Sequence, residues 1–218
     1  MLSGQPIHQA NLDETKRVSA AEGMATFLKE LHGVPKDSID AMQLEPDTIG
    51  RLDVGRRIPK LEEYLKDIAD RKLYDDIDSL FQILRDLSAA SPASARRTVV
   101  HGDFNFRNFL VASTGELSGV IDWGDIHVGD PAVDLAVVHT YFPPAGRAAF
   151  FKAYGDVSDQ TWKLSRFRAL YVTAYLLLYA DDIRDRQQFQ EAHFGLRLLA
   201  QPENDSINRS TVDDDHDS

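Results

Sequence analysis

The sequence predicts a mainly helical α+β domain with one small β insert, and three observations lead to this fold class. Apolar residues recur at three- and four-residue spacing on both sides of the middle of the chain, as they do in amphipathic helices. Residues 98–121 instead hold short runs rich in β-branched and aromatic residues, separated by turn residues, which is typical of strands. We find no internal repeat and no linker that would separate a second domain.

Before the insert, the first predicted helix has clear signals at both ends. Asn11 and Glu14 form a capping pattern, in which a side-chain acceptor precedes an acidic residue by three positions. Apolar residues from Val18 to Leu31 then follow the helical period. Gly33 and Pro35 predict where this helix ends.

Two more helices are predicted before the insert. Residues 36–58 show little periodicity and predict a loop, and Pro59 predicts the start of the second helix. The third helix is predicted from Ile77 to Leu87. The segment from Ser88 to Ala95 is rich in small residues and contains proline, so it predicts a connection.

The insert consists of three predicted strands. The first runs from Thr98 to His101, the second from Phe109 to Val111 and the third from Leu117 to Ile121. Residues Ser113 to Gly115 are turn formers, so the second and third strands are predicted to form a hairpin.

The helical period returns after Pro131 and continues almost to the end of the chain. Pro143 and Pro144 interrupt it, and a short helix is predicted at Ala145–Tyr154. A long, largely buried helix is predicted at 159–180, and a last helix near 186–200.

Composition excludes several classes of function. The 218 residues hold no cysteine, which excludes disulfides, thiol nucleophiles and thiolate metal sites and fits a cytoplasmic protein. With 24 Lys and Arg against 35 Asp and Glu, the net charge of −11 disfavours binding to nucleic acid. We see no apolar run of about 18 residues and no N-terminal leader, so neither a membrane span nor secretion is predicted.

The acidic charge is concentrated at the C-terminus. Residues 201–218 contain six acidic residues and one basic residue, Arg209, and therefore account for −5 of the net −11. This segment has almost no apolar residues, so we predict a disordered acidic tail. The charge of the remaining chain says little about a substrate.

Two polar motifs in and after the insert indicate chemistry. His101, Asp103 and Asn108 form the pattern His-x-Asp-x4-Asn, and Asp122 ends the third predicted strand in the pattern Asp-aromatic-Gly. This arrangement matches the catalytic and metal-binding loops of kinases. Phosphoryl transfer needs a base that accepts the proton of the acceptor hydroxyl, and hard oxygen ligands that hold Mg²⁺ against the phosphates.

The segments HGDFNFRN and IDWGDIHVGDPAVDLA resemble the aminoglycoside phosphotransferase family, whose members carry HGD-x4-N followed by IDW-x5-GDP-x2-DLA. The resemblance extends over about residues 4–200. It implies that Asp103 is the catalytic base and that Asn108 and Asp122 bind Mg²⁺ and, through it, ATP or GTP. This sequence has Phe104 to Arg107 where the family more often has Leu-His-Pro-Gly.

Other residues of these motifs are predicted to support the loops. His101 would brace the catalytic loop, Asp130 would cap the helix that follows Pro131, and Asp134 would hydrogen-bond the loop backbone. Trp123 would pack under the metal loop, with stacking on a ligand as the alternative. Five further residues are candidates for an acidic acceptor pocket, although each is more typical of a solvated charge: Asp125, His127, Asp181, Asp182 and Asp185.

The resemblance also implies a domain organisation. Residues 11–200 would form a protein-kinase-like C-terminal lobe, and residues 1–10 a remnant of the hinge between lobes. The N-terminal lobe is expected to be absent, because we find no Gly-x-Gly-x-x-Gly loop and no lysine after a Val-Ala-Ile-like strand. The pattern at Gly50 and Gly55 lacks the Lys and Ser/Thr of a phosphate-binding loop.

The sequence therefore predicts a kinase domain that transfers the γ-phosphate of ATP or GTP to a hydroxyl of a small molecule such as an aminoglycoside. We expect this chain alone to transfer phosphate slowly, because nothing in it clamps the triphosphate. One alternative is a non-catalytic remnant that still binds the acceptor. A weaker alternative is a metal-assisted hydrolase that uses Asp103 and Asp122 without nucleotide.

Overall fold

The computed structural model describes residues 4–87 and 97–201. These ranges are mainly helical, as predicted. The helices are α1 (Ile7–Ala10), α2 (Glu14–Ser19), α3 (Ala21–His32), α4 (Lys36–Met42), α5 (Val54–Asp70), α6 (Ile77–Leu87), α7 (Ala132–Tyr141), α8 (Pro144–Tyr154), α9 (Asp159–Asp182) and α10 (Arg186–Ala200). The strands are β1 (Gln5–Pro6), β2 (Thr98–Val100), β3 (Phe109–Val111), β4 (Leu117–Val120) and β5 (His127–Gly129).

The strands form two small sheets rather than a single insert. The predicted hairpin of β3 and β4 is confirmed, and β1 pairs antiparallel with β3 on its other edge. The strand β2 pairs antiparallel with β5, which the sequence analysis missed. Only three residues long and ending in glycine, β5 is too short to show an alternating pattern.

The first predicted helix is divided, and its cap lies two residues later than expected. Asp13, not Asn11, accepts a hydrogen bond from the Lys16 backbone N–H at 2.9 Å, while Asn11 ends α1 in the left-handed region. Asparagine tolerates that backbone conformation, so it can end a helix as well as begin one. The predicted end of α3 before Gly33 is confirmed.

The predicted loop at 36–58 was wrong in two respects. It contains α4, which buries no side chain and therefore shows no apolar period. In addition, α5 begins at Val54, because Asp53 accepts a hydrogen bond from the Arg56 N–H at 3.0 Å and caps the helix. Pro59 consequently lies inside α5 rather than at its start.

The remaining helix predictions are confirmed to within two residues: α6, α7, α8, α9 and α10 occupy the expected segments. Two predictions, the connection from Ser88 to Ala95 and the acidic tail beyond residue 201, lie outside the described residues. No helix in the described ranges is both long and apolar enough to cross a lipid bilayer.

The long helix α9 forms the centre of the fold. It packs against α10, α7 and α5, and it is buried along most of its length, from Trp162 to Ala180. The helix α7 is also buried on almost all sides and begins beside the β2–β5 pair. The loop between β2 and β3 therefore rests on two buried helices that can hold its backbone in place.

Candidate active site

The loop between β2 and β3 brings Asp103 and Asn108 into direct contact. Asn108 Nδ2 donates to Asp103 Oδ2 at 2.8 Å, and Asn105 Nδ2 donates to Asp103 Oδ1 at 2.9 Å. A cavity of about 20 Å³, enough for a water molecule, adjoins Asp103. Two amide groups thus fix the orientation of the Asp103 carboxylate.

Burial determines the acidity of Asp103. Removal from water raises the pKa of this carboxyl group above its ordinary value of 3.8, and this effect exceeds the opposite effects of Arg168 and Asn108. Arg168 is itself buried, which lowers its pKa to about 10, so it remains charged at neutral pH. A carboxylate with a raised pKa is a better proton acceptor than an exposed one.

Asn108 and Asp122 lie side by side across the β3–β4 hairpin. The Ile121 N–H donates to the Asn108 backbone C=O at 2.8 Å, so Ile121 lies opposite Asn108. Asp122 is the next residue after Ile121. The Asn108 Nδ2 group is used by Asp103, so its Oδ1 remains available as an acceptor. Asp122 is exposed, and we find no hydrogen bond to its carboxylate from any described residue.

This pair of oxygen donors fits Mg²⁺, which favours one or two protein oxygens with water and phosphate as the other ligands. Among the described residues, no group of three or more His, Asp or Glu side chains could hold a metal ion by itself. A cation at Asn108 and Asp122 would therefore depend on the phosphates of a nucleotide for its remaining ligands.

His101 connects the two loops. Its side chain is fully buried, Nε2 donates to the Ile121 C=O at 2.9 Å, and Nδ1 accepts from the Asp103 N–H at 3.4 Å. Both ring nitrogens thus contact backbone groups, which leaves no nitrogen to act on a substrate. Trp123 packs with its ring centre 4.7 Å from that of His101, although 37% of Trp123 is exposed.

Asp134 of α7 holds the start of the loop between β2 and β3. Its carboxylate accepts hydrogen bonds from the backbone N–H groups of His101 and Gly102, at 2.7 and 3.0 Å, and from His32 Nε2 at 3.2 Å. Burial alone would raise the pKa of Asp134, but these hydrogen bonds lower it, so the group is ionised. At the start of α7, Asp130 Oδ1 accepts from the Ala132 N–H at 2.8 Å.

Sequence reasoning missed two arginines at this site. Arg51 Nε and Arg168 Nη2 both donate to the C=O of Gly102, at 3.0 and 3.5 Å, and Arg51 Nη2 also contacts Asp125 Oδ1 at 2.7 Å. Gly102 has a φ of +85°, and a Cβ there would lie 2.2 Å from the Asp125 C=O. No local pattern marks either arginine, because both reach the loop from distant parts of the chain, Arg51 from the turn before α5 and Arg168 from α9.

The residues considered for an acidic acceptor pocket fall in two separate places. Asp125 pairs with Arg51, and the buried His127 donates from Nδ1 to the Asp125 C=O at 2.7 Å. The other group lies at the end of α9 and the start of α10. There Asp181 and Asp182 bind Arg71, and Asp185 caps α10.

Comparison with known proteins identifies the relatives of this chain. The sequence profile of the Phosphotransferase enzyme family (APH) matches residues 1–170. An aminoglycoside 3'-phosphotransferase of Escherichia coli is 28% identical over 140 residues, which are 62% of this chain and 48% of that protein. Viomycin phosphotransferase of Streptomyces vinaceus is 30% identical over 104 residues, 45% of this chain and 36% of that protein.

Solved structures show the same fold. The GDP complex of wild-type aminoglycoside 2'-phosphotransferase-IIIa aligns with a TM-score of 0.52 at 21% identity, over 91% of this chain and 67% of that chain. The present chain spans about half or less of the length of the curated relatives it matches.

Proposed function

This chain belongs to the phosphotransferase enzyme family, and from that premise we propose that it acts in transfer of a nucleotide γ-phosphate to a hydroxyl of a small molecule. ATP or GTP would be the donor. The observation that carries the proposal is the pairing of Asp103 with Asn108 at 2.8 Å, beside an exposed Asp122. The two curated relatives described above are phosphotransferases, by their names of aminoglycosides and of viomycin.

Asp103 would serve as the base. Its carboxylate accepts the proton of the acceptor hydroxyl while the hydroxyl oxygen bonds to the γ-phosphorus, and the bond from that phosphorus to the β–γ bridging oxygen breaks. The nucleoside diphosphate leaves with the electron pair of the broken bond. The amide groups of Asn105 and Asn108 hold the carboxylate in one orientation, which reduces the entropic cost of aligning the hydroxyl.

Asn108 Oδ1 and Asp122 would hold Mg²⁺ on the nucleotide phosphates. Bound there, the cation would supply charge neutralisation for the transferred group. Asp134, His101 and the two arginines would keep the backbone of both loops fixed, since their contacts are to backbone groups of the loops. The protein thus contributes a preorganised site rather than covalent chemistry.

The experiment incubates the chain with Mg²⁺, ATP or GTP and an acceptor panel of an aminoglycoside, viomycin and a macrolide. Mass spectrometry then detects the phosphorylated acceptor. We expect Asp103→Asn to lower the rate by roughly 10²- to 10⁴-fold, the contribution of a general base. Asp78→Asn, an exposed aspartate on α6, is the matched control and should retain the wild-type rate.

Other outcomes would contradict the proposal in distinct ways. Equal rates for wild type and Asp103→Asn would exclude Asp103 as the base. Release of phosphate from simple esters with Mg²⁺ and no nucleotide would favour the metal-assisted hydrolase. Binding of an acceptor without transfer to it would favour a ligand-binding remnant.

A further inference from the structure

The candidate base and the exposed candidate metal ligand lie on different loops. Asp103 is in the β2–β3 loop (residues 101–108), and Asp122 is in the β4–β5 loop (residues 121–126). Transfer requires the base and the cation to be held at one separation, because a displacement of about 1 Å can cost roughly 100-fold in rate. The contacts that join the two loops therefore bear directly on the proposed chemistry.

The two loops touch at two points. A Cβ atom on Gly102 would collide with the Asp125 C=O, so this close approach of the two backbones requires glycine. At the start of the β4–β5 loop, the Ile121 C=O accepts from His101 Nε2 at 2.9 Å. Asp122 thus lies between two positions, 121 and 125, at which its loop contacts the β2–β3 loop.

Arg51 bridges the contact at Gly102 through three different nitrogen atoms. Nε donates to the Gly102 C=O at 3.0 Å, Nη2 to Asp125 Oδ1 at 2.7 Å and Nη1 to Asp47 Oδ1 at 2.9 Å. Asp47 is thereby a second carboxylate beside the buried guanidinium. A lysine carries a single nitrogen at its end and could not donate to all three groups in this way.

The backbone on both sides of Arg51 is also held. The Glu45 C=O accepts from the Val128 N–H of β5 at 3.0 Å. On the other side, the Gly50 C=O accepts from Arg57 Nε at 2.9 Å. Arg51 therefore projects from a segment that is fixed to β5 and to α5.

The ion pair of Arg51 with Asp125 differs from an ordinary surface pair. The Asp125 side chain is 54% exposed, but that of Arg51 is only 6% exposed. Surface pairs contribute little in part because two mobile side chains must be ordered to form them. Here the arginine is already ordered by its other acceptors and the aspartate is short, so the cost of ordering is small.

A contact on Asp125 acts on the backbone of Asp122. The residues Trp123–Asp125 form a single turn of 3₁₀ helix that directly follows Asp122. Asp122 itself has a φ of +62°, in the left-handed region. A residue other than glycine keeps this conformation only where its surroundings hold it. The bond from Arg51 holds the far end of that turn.

We propose that Arg51 and Asp125 are positioning residues, which together set the separation between Asp103 and Asp122. Asp125 would then serve the metal site rather than an acceptor pocket. This proposal rests on the proposed function, since it concerns the base and the metal ligand named there. Loss of Arg51 would weaken Mg²⁺ binding through the placement of Asp122.

The first experiment measures amide hydrogen exchange of the free chain by mass spectrometry, without metal, nucleotide or acceptor. We expect Arg51→Met to speed exchange in both loops by roughly tenfold or more, as for loss of a charge-assisted hydrogen bond. Asp125→Ala removes one of the three bonds and should speed exchange in residues 121–126 but not in residues 101–108. Peptides from α6 should be unchanged in both variants.

The second experiment measures phosphate transfer as a function of Mg²⁺ concentration. We expect Arg51→Met and Asp125→Ala each to raise the half-saturating concentration of Mg²⁺ by roughly tenfold or more, the usual effect of losing a group that orients a metal ligand. The KM for the acceptor should not change. Arg51→Lys keeps the positive charge and the fold, but it should not restore the Mg²⁺ requirement of wild type.

Arg147→Met is the matched control, because Arg147 is as buried as Arg51, each being 6% exposed. Its guanidinium donates to the backbone C=O groups of Phe142, His139 and Leu198, at 3.1, 2.9 and 3.1 Å, and none of these belongs to either loop. Arg147→Met should lower the stability of the fold but leave both the exchange of the two loops and the Mg²⁺ requirement unchanged.

Four outcomes would overturn the proposal. They are unchanged exchange in either loop of Arg51→Met, an equal rise of the Mg²⁺ requirement in Arg147→Met, and full recovery of that requirement in Arg51→Lys. The fourth is a raised KM for the acceptor in Asp125→Ala, which would assign Asp125 to the acceptor pocket.

The two proposals can fail separately, because hydrogen exchange is measured without any ligand. If exchange responds as expected while the wild-type chain transfers no phosphate, the proposed function fails and the connection between the loops holds. If transfer depends on Asp103 while wild type and Arg51→Met require the same Mg²⁺ concentration, only the positioning role fails.

Discussion

Asp103 has two kinds of neighbour with opposite effects on its charge. Burial disfavours the carboxylate, while Arg168 and the amides of Asn105 and Asn108 favour it. Burial has the larger effect, so the pKa is raised. The buried carboxylate is therefore less stable than an exposed one, and protonation becomes more favourable.

This balance predicts a pH-dependent stability. Because the folded-state pKa of Asp103 lies above the unfolded value, proton binding stabilises the fold fully below the unfolded pKa. That contribution is lost as the pH rises through the folded pKa. We expect the unfolding free energy of wild type, relative to Asp103→Asn, to fall in urea denaturation as the pH rises above the ordinary carboxyl pKa of 3.8.

The asparagine variant supplies the reference for this measurement, because its side chain does not titrate and its altered hydrogen bonds give a constant offset. A difference that rises with pH would mean that the pKa of Asp103 is lowered in the folded protein. A flat difference would mean that burial does not dominate at this residue.

At the scale of elements, the start of α5 shows that a capping side chain and a proline can indicate different first residues of a helix. Pro59 is a common first residue of a helix, yet α5 begins five residues earlier at Val54. The Asp53 side chain accepts from the Arg56 N–H at 3.0 Å and thereby satisfies one of the free N–H groups of the first turn. A local hydrogen bond, rather than the position of proline, sets the boundary.

We therefore expect Asp53→Ala to lower the unfolding free energy by about 1 kcal/mol, the usual cost of a lost cap. Thermal or urea denaturation measures this change. Glu62→Ala, at an exposed position in the middle of the same helix, is the control and should change stability by less than about 0.5 kcal/mol. Equal effects of the two substitutions would show that Asp53 does not cap α5.

At the scale of the whole molecule, a buried ion pair joins the first and last parts of the described fold. Arg17 of α2 binds Glu191 of α10 through two contacts of 2.5 and 2.7 Å, and both side chains are at most 9% exposed. The Arg17 guanidinium also lies 4.1 Å from the centre of the Phe194 ring. The apolar period of the sequence predicts that Val18 is the buried residue of this turn. The structure buries the neighbouring Arg17 instead.

Loss of one partner leaves the other charge buried and unpaired. We expect Arg17→Ala to lower the unfolding free energy by about 3 kcal/mol or more in urea denaturation. The double variant Arg17→Met with Glu191→Met should recover much of that loss, because it leaves no buried charge.

A second ion pair between the same helices provides the control. Arg197 contacts Glu14 at 3.5 Å, and both side chains are more than half exposed. Arg197→Ala should change stability by at most about 1 kcal/mol, since exposed ion pairs contribute little. Similar losses for Arg17→Ala and Arg197→Ala would contradict the view that burial makes the first pair important.

The helices and the hairpin could be predicted because their determinants are local. The apolar period of α6 and α10, the long apolar stretch of α9 and the turn residues between β3 and β4 all lie in neighbouring positions of the chain. Four short elements were missed: β1, α1, α4 and β5. None of them is longer than seven residues, and none carries a clear apolar period.

By itself, the sequence determined the order and spacing of His101, Asp103, Asn108 and Asp122, and with them the family. The tertiary structure decided how these residues are held. Only packing brings the carboxylate of Asp134 to the Gly102 N–H, and Arg51 and Arg168 to the Gly102 C=O. These contacts join residues 32 to 66 positions apart, and no local pattern specifies which distant side chains the packed helices will bring together.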